Sequence, residues 1–166
     1  MDGVFLGNIT IGGTYLIRQS YPNIGIRALF KLPTSTMDDT FDQNNIDLSF
    51  QVSSTWNKNK FFGHHGFGIT LYGSNGLDAM NLKKERFSFF SALEYSWTPT
   101  FSFIAQVVAA SAVADYPELD KPVIEVILGF KKQLGPGILE FGFIENILYY
   151  DNSPDGGIQI GYTFSR

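Results

Sequence analysis

The chain has 166 residues, enough for one domain with an interior of its own. It carries no cysteine, which excludes a disulfide framework and thiolate metal sites, and its net charge of −4 argues against a nucleic-acid partner, which wants a basic stripe. Sixteen Phe, eight Tyr and seventeen Gly suit strands and turns better than helices.

No window approaches the roughly 18 uninterrupted apolar residues of a spanning helix. Mean hydropathy is zero, but such an average hides two opposite faces when alternate residues meet lipid and water. The N-terminus shows no basic region followed by an apolar core and a small-residue cleavage site. A secreted or outer-membrane protein with this sequence is therefore expected to be a mature chain or a fragment.

The dominant period along the chain is two, the period of a strand whose successive side chains point to opposite faces. Strands are expected over residues 4–18 and 22–33. A third runs from Asn45 to Ser53, where Ile46, Leu48, Phe50 and Val52 alternate with polar residues. Further strands follow over 62–72, 86–97, 101–112, 122–132 and 138–147. The last, 158–165, sets Ile158, Ile160, Tyr162 and Phe164 against Gln159, Gly161, Thr163 and Ser165. Most of these nine segments match or exceed the roughly 9–11 residues needed to cross a bilayer on a tilted path.

The links between them alternate in length. Gln19-Ser20-Tyr21, Asn57 to Phe61, the neighbourhood of Pro99, and Gln133 to Gly137 are short. Thr34 to Asn44, Gly73 to Glu85, Val113 to Lys121 and Leu148 to Gly156 are long. Outer-membrane barrels keep short periplasmic turns and long external loops, whereas both ends of a soluble sheet meet the same solvent. The pattern predicts an all-β, antiparallel, up-and-down transmembrane barrel as one domain over 1–166, with a periplasmic C-terminus. Nine strands with an external start break the even-number rule. The chain is accordingly expected to lack at least one upstream strand of a larger, even-numbered barrel.

Parity sorts the side chains. Ile9, Ile11, Ile26, Phe30, Phe50, Val52, Phe67, Leu93, Leu128, Phe143 and Ile160 fall on one face, expected to meet lipid. Arg27, Lys31, Asp47, Gln51, Glu94, Gln106, Glu125, Lys131 and Glu140 fall on the other, expected to line the lumen. At the short-turn ends stand Tyr15, Trp56, Phe61, Tyr95, Trp97, Phe101, Phe130, Tyr162 and Phe164. Aromatic rings gathered at one rim predict a girdle at the headgroup boundary.

The closing strand resembles the signal by which the outer-membrane barrel-assembly machinery recognises a last strand. Gln159, Gly161 and Phe164 match it, while Arg166 stands where an aromatic or apolar end is expected. A wider resemblance rests on Arg27 to Thr34, Leu139 to Asn146 and Tyr150 to Gly157. These stretches are similar to those of a Gram-negative outer-membrane barrel family known only as a domain of unknown function. The resemblance implies an outer-membrane location, surroundings of lipid and lipopolysaccharide, and relatives longer at the N-terminal side. It implies no catalytic residue.

Candidate chemistry is sparse. His64 and His65 are adjacent in a strand, point to opposite faces and cannot share one metal or substrate. An interfacial structural role is expected for them, ahead of a lipase-like arrangement of His64 with Ser53 or Ser88. Asp38, Asp39 and Asp42, then Asp115, Glu118 and Asp120, then Asp151 and Asp155 make the long loops acidic. None has the spacing of a calcium loop, and solvated charge is the expected reading. No cofactor, metal or catalytic residue is expected. The expected function is a passive pore or transporter for small solutes, with a plugged, partner-binding barrel as the alternative and a lipid-modifying enzyme behind both.

Overall fold

The computed structural model describes residues 7–35, 45–73, 83–115, 119–148 and 156–164. Alternating sequence becomes strand throughout: β1 (Ile9–Arg18), β2 (Asn23–Leu32), β3 (Asp47–Lys58), β4 (Phe61–Leu71), β5 (Glu85–Thr98), β6 (Phe101–Ala110), β7 (Val123–Leu134), β8 (Gly137–Leu148) and β9 (Gly157–Phe164). All nine belong to one sheet in chain order, each antiparallel to its neighbour. Among the described residues β1 and β9 do not pair, so this sheet is open, with two free edges.

Strand ends follow local chemistry. β3 runs five residues past the expected Ser53, through Ser54, Thr55 and Trp56 to Lys58, because each of these finds a direct partner in β4. The link to β4 shrinks to Asn59-Lys60, with Asn59 in the left-handed region at φ 56. Gly135 takes the matching position before β8 at φ 57, where a side chain would be strained. Two of the turns are tied to the end of the next strand: Ser96 N–H of β5 donates to the Lys60 carbonyl at 2.8 Å and Gln133 N–H of β7 to the Thr100 carbonyl at 2.8 Å.

The strands are inclined to this rim. Lys58, Phe61, Tyr95, Phe103, Phe130, Phe141 and Ile160 form one row of direct partners. The row begins beside the Asn59-Lys60 turn, yet Phe130 lies four residues back from the β7 end at Leu134. The pairing thus slips along the sheet between β4 and β7.

Burial separates the faces. Phe50, Val52, Phe67, Leu93, Phe103, Leu128 and Phe143 share one face and are 45–58% exposed. Among the described residues the buried apolar side chains are only Ala92, Ala112 and Ala114. A soluble sheet of this size turns its large apolar side chains into a core. Here they point out of the sheet, and no described residue covers them.

Candidate functional site

The opposite face collects the polar groups. Cross-strand register sets Thr14, Arg27, Gln51, Gly68 and Ser88 in one row, because paired residues of antiparallel strands share a face. At the long-loop end Lys31 Nζ meets Asp47 Oδ2 at 2.7 Å. The other Asp47 oxygen accepts from Gly73 N–H at 3.2 Å, and Asn45 Nδ2 donates to the Gly73 carbonyl at 3.2 Å. These bonds tie the start of β3 to the end of β4, just where the long connections leave the sheet.

Lys131 organises the far side. Its Nζ lies 3.0 Å from Glu94 Oε2 and 3.6 Å from Glu140 Oε1, reaching Glu94 in β5 across the whole of β6. It passes over Ser102, whose small buried side chain leaves room and whose Oγ lies 3.4 Å from Ser96 Oγ. Ser49 and Thr70 hydroxyls bond at 2.9 Å, and Thr55 Oγ1 lies 3.1 Å from His64 Nδ1. Two hollows of about 160 Å³ open on this face. One lies over Gly68, beside Arg27, Ser49, Gln51, Thr70 and Ser88. The other lies over Gly142, beside Gln106, Lys131, Glu140 and Gln159.

All nine residues expected on the polar side therefore share one face of the sheet: Arg27, Lys31, Asp47, Gln51, Glu94, Gln106, Glu125, Lys131 and Glu140. Ser49, Thr55, Ser96 and Ser102 join them, although the sequence reading had not picked them out. Their parity was visible, but serine and threonine are too common in strands to stand out.

The apolar face holds the rim aromatics, with one polar interruption. Ring contacts run from Phe61 to Tyr95 at 5.0 Å, Tyr95 to Trp97 at 6.4 Å and Trp97 to Phe103 at 6.2 Å. They continue from Phe103 to Phe101 at 5.0 Å, Phe101 to Phe130 at 5.6 Å and Phe130 to Phe141 at 5.4 Å. Tyr162 and Phe164 meet at 4.8 Å on β9, and Tyr162 donates its hydroxyl to the Leu134 carbonyl at 2.9 Å. Trp56 lies flat over Gly63 and donates its indole N–H to His65 Nε2 at 2.9 Å, while His65 Nδ1 lies 3.0 Å from Ser91 Oγ.

The histidines thus occupy opposite faces, and a serine–histidine contact arises at a different place from the one weighed in the sequence. His64 bonds Thr55, not Ser53 or Ser88, because register sets Thr55 directly across from it. His65 bonds Ser91, but its chemistry there is not that of a base. An indole N–H can only donate, so Nε2 must accept. In the neutral ring Nδ1 then carries the proton and donates to Ser91. No lone pair is left to activate the serine hydroxyl.

Charges on the apolar face keep to its ends. Arg18, Lys58 and Lys132 lie at the short-turn end, and Glu85 and Glu145 at the long-loop end. Among the loop acids, Asp115 pairs with Lys83 at 3.3 Å and Asp120 with Lys121 at 3.5 Å. Asp38, Asp39, Asp42, Glu118, Asp151 and Asp155 lie outside the described residues, as does Arg166. Gln159 and Gly161 fall on the polar face of β9 and Phe164 on its apolar face. No group of three or more His, Asp or Glu side chains suited to a metal ion occurs among the described residues.

A family model described as a protein of unknown function, DUF3187, matches residues 6–165. The chain belongs to this family. The match spans every strand from β1 to β9, so the whole described sheet is the DUF3187 domain. Compared with curated proteins, the chain matches none.

Proposed function

We propose that this chain forms the wall of a transmembrane β-barrel in the outer membrane of a Gram-negative bacterium. Its polar face lines a lumen through which small solutes pass, and it performs no catalysis. The observation that carries this reading is the pair of faces: large apolar side chains exposed on one side, ion pairs and hydroxyls on the other, and only small apolar side chains buried among the described residues. In water so large an apolar surface is a liability, whereas in a bilayer it is the solvent-facing surface.

Closure follows from the same physics. An unpaired backbone group in hydrocarbon costs several kcal/mol, and β1 and β9 each present a row of them. In the membrane these edges must be paired, to each other or through further strands. Gln159, Gly161 and Phe164 would present the closing strand to the assembly machinery.

A second reading, a narrow barrel plugged by its own side chains, is favoured by the mutual pairing of Lys131 with Glu94 and Glu140 and of Lys31 with Asp47. Conductance across a planar bilayer separates the two. Discrete channels support the pore, and silence from well-folded protein leaves the plugged barrel. Solubility without detergent, together with no heat-modifiable gel mobility, would sink the membrane assignment itself.

A further inference from the structure

At the short-turn end of the apolar face, β5 carries a bulge between Ser96 and Thr98, so Trp97 and Thr98 together stand against Phe101. The extra residue opens a groove of about 360 Å³ lined by Trp97, Thr98, Thr100, Phe101, Phe103 and Lys132. Its walls are aromatic: Trp97 meets Phe103 edge-on, and Phe101 is locked against both Phe103 and Phe130. Two threonine hydroxyls and one ammonium supply its polar side. Lys132 pairs in register with Phe101, is exposed, and has no ion-pair partner among the described residues. Its neighbour Lys131, by contrast, is engaged by Glu94 and Glu140 on the other face.

We propose that this groove binds the headgroup of an anionic phospholipid. The inference rests on the membrane reading above and goes beyond it by naming the ligand and the place. The phosphodiester takes the Lys132 ammonium and the hydroxyl proton left over where Thr98 Oγ1 and Thr100 Oγ1 meet at 3.4 Å, while Trp97 and Phe101 flank the glycerol region. The acyl chains lie along Leu128 and Phe143, which continue the exposed apolar surface. Charge complementarity selects the ligand. On the short-turn half of this face the described charged residues are the cations Arg18, Lys58 and Lys132, whereas Glu85 and Glu145 stand at the opposite end. A zwitterionic headgroup would bring an ammonium to an already basic rim.

The test uses Trp97 as its own reporter. The Trp56→Phe protein, with Trp97 as its one tryptophan, is reconstituted into phosphatidylcholine bilayers containing a minor fraction of phosphatidylglycerol. Bromine is placed on the acyl chains of one lipid or the other. Brominated phosphatidylglycerol is expected to quench Trp97 as though locally enriched about fivefold, the equivalent of roughly 1 kcal/mol for one lysine near an anionic surface. Lys132→Gln abolishes that preference, added salt weakens it, and inorganic phosphate does not compete with it. Equal quenching by the two lipids would overturn the proposal while leaving the membrane reading intact. So would a preference that survives Lys132→Gln, and competition by inorganic phosphate would reassign the groove to the free anion. If neither lipid quenches Trp97, the membrane reading itself fails. Should Trp56→Phe not fold, the difference between unmodified protein and Trp97→Phe reports the same quenching.

Discussion

Trp56 gives its indole proton to His65 Nε2 across 2.9 Å, and that bond makes the histidine a donor towards Ser91. The three residues come from β3, β4 and β5 and stand together on the apolar face. A polar trio there is tolerated only because its members satisfy one another. Trp56→Phe keeps an aromatic ring over Gly63 but strands the Nε2 lone pair, which is expected to cost about 1–3 kcal/mol. Urea unfolding from lipid vesicles measures it. In parallel, neither unmodified protein nor Ser91→Ala is expected to hydrolyse phospholipid. Hydrolysis lost on Ser91→Ala would overturn the tautomer argument and the non-enzymatic reading together.

Two glycines serve as seats for rim aromatics. A Cβ on Gly63 would run into the Trp56 ring, and one on Gly137 would come within 2.5 Å of the Tyr162 ring. Each ring covers its glycine in the way that aromatic side chains compensate a strand position with no side chain of its own. Gly63→Ala and Gly137→Ala are expected to lose about 1–3 kcal/mol each through overpacking. Gly63→Ala should also alter Trp56 emission, since the indole must leave His65. Unfolding midpoints equal to those of the unmodified protein would refute both seats.

Adjacent residues offer the cleanest test of which face meets lipid. Val52 stands mid-strand on the apolar face and is 52% exposed, while Gln51 beside it lies on the polar face. Val52→Arg is expected to cost roughly 2–4 kcal/mol in a bilayer, with Gln51→Arg costing much less. Folding yield and urea stability in vesicles provide the comparison. Equal penalties at the two sites would mean that the faces are not divided between lipid and water.

Lys131 and Glu94 form a pair whose side chains are only 29% and 15% exposed. Removing the ammonium alone, with Lys131→Met, leaves Glu94 ionised without its cation. A loss of about 1–3 kcal/mol is expected, below that for a fully buried pair because water still reaches both groups. Adding Glu94→Gln should recover part of the loss, so the double variant is the more stable of the two. Strict additivity in this cycle would show that the contact contributes nothing across β6.

Much of this architecture was legible in the sequence, because alternation belongs to a single strand. Ile158, Ile160, Tyr162 and Phe164 must share one side wherever β9 is placed, and so must Asp47 and Gln51. The same local rule placed His64 and His65 on opposite faces, and chain connectivity alone gave the alternating short and long links. What a residue touches across the sheet is a different matter, since it depends on register, which turn lengths and bulges set. The extension of β3 through Ser54 and Thr55, the arrival of Ser91 beside His65, the Trp97 bulge and the reach of Lys131 to Glu94 are all decided there. The sequence determined the two faces; only the tertiary structure decided which polar groups within each face would meet.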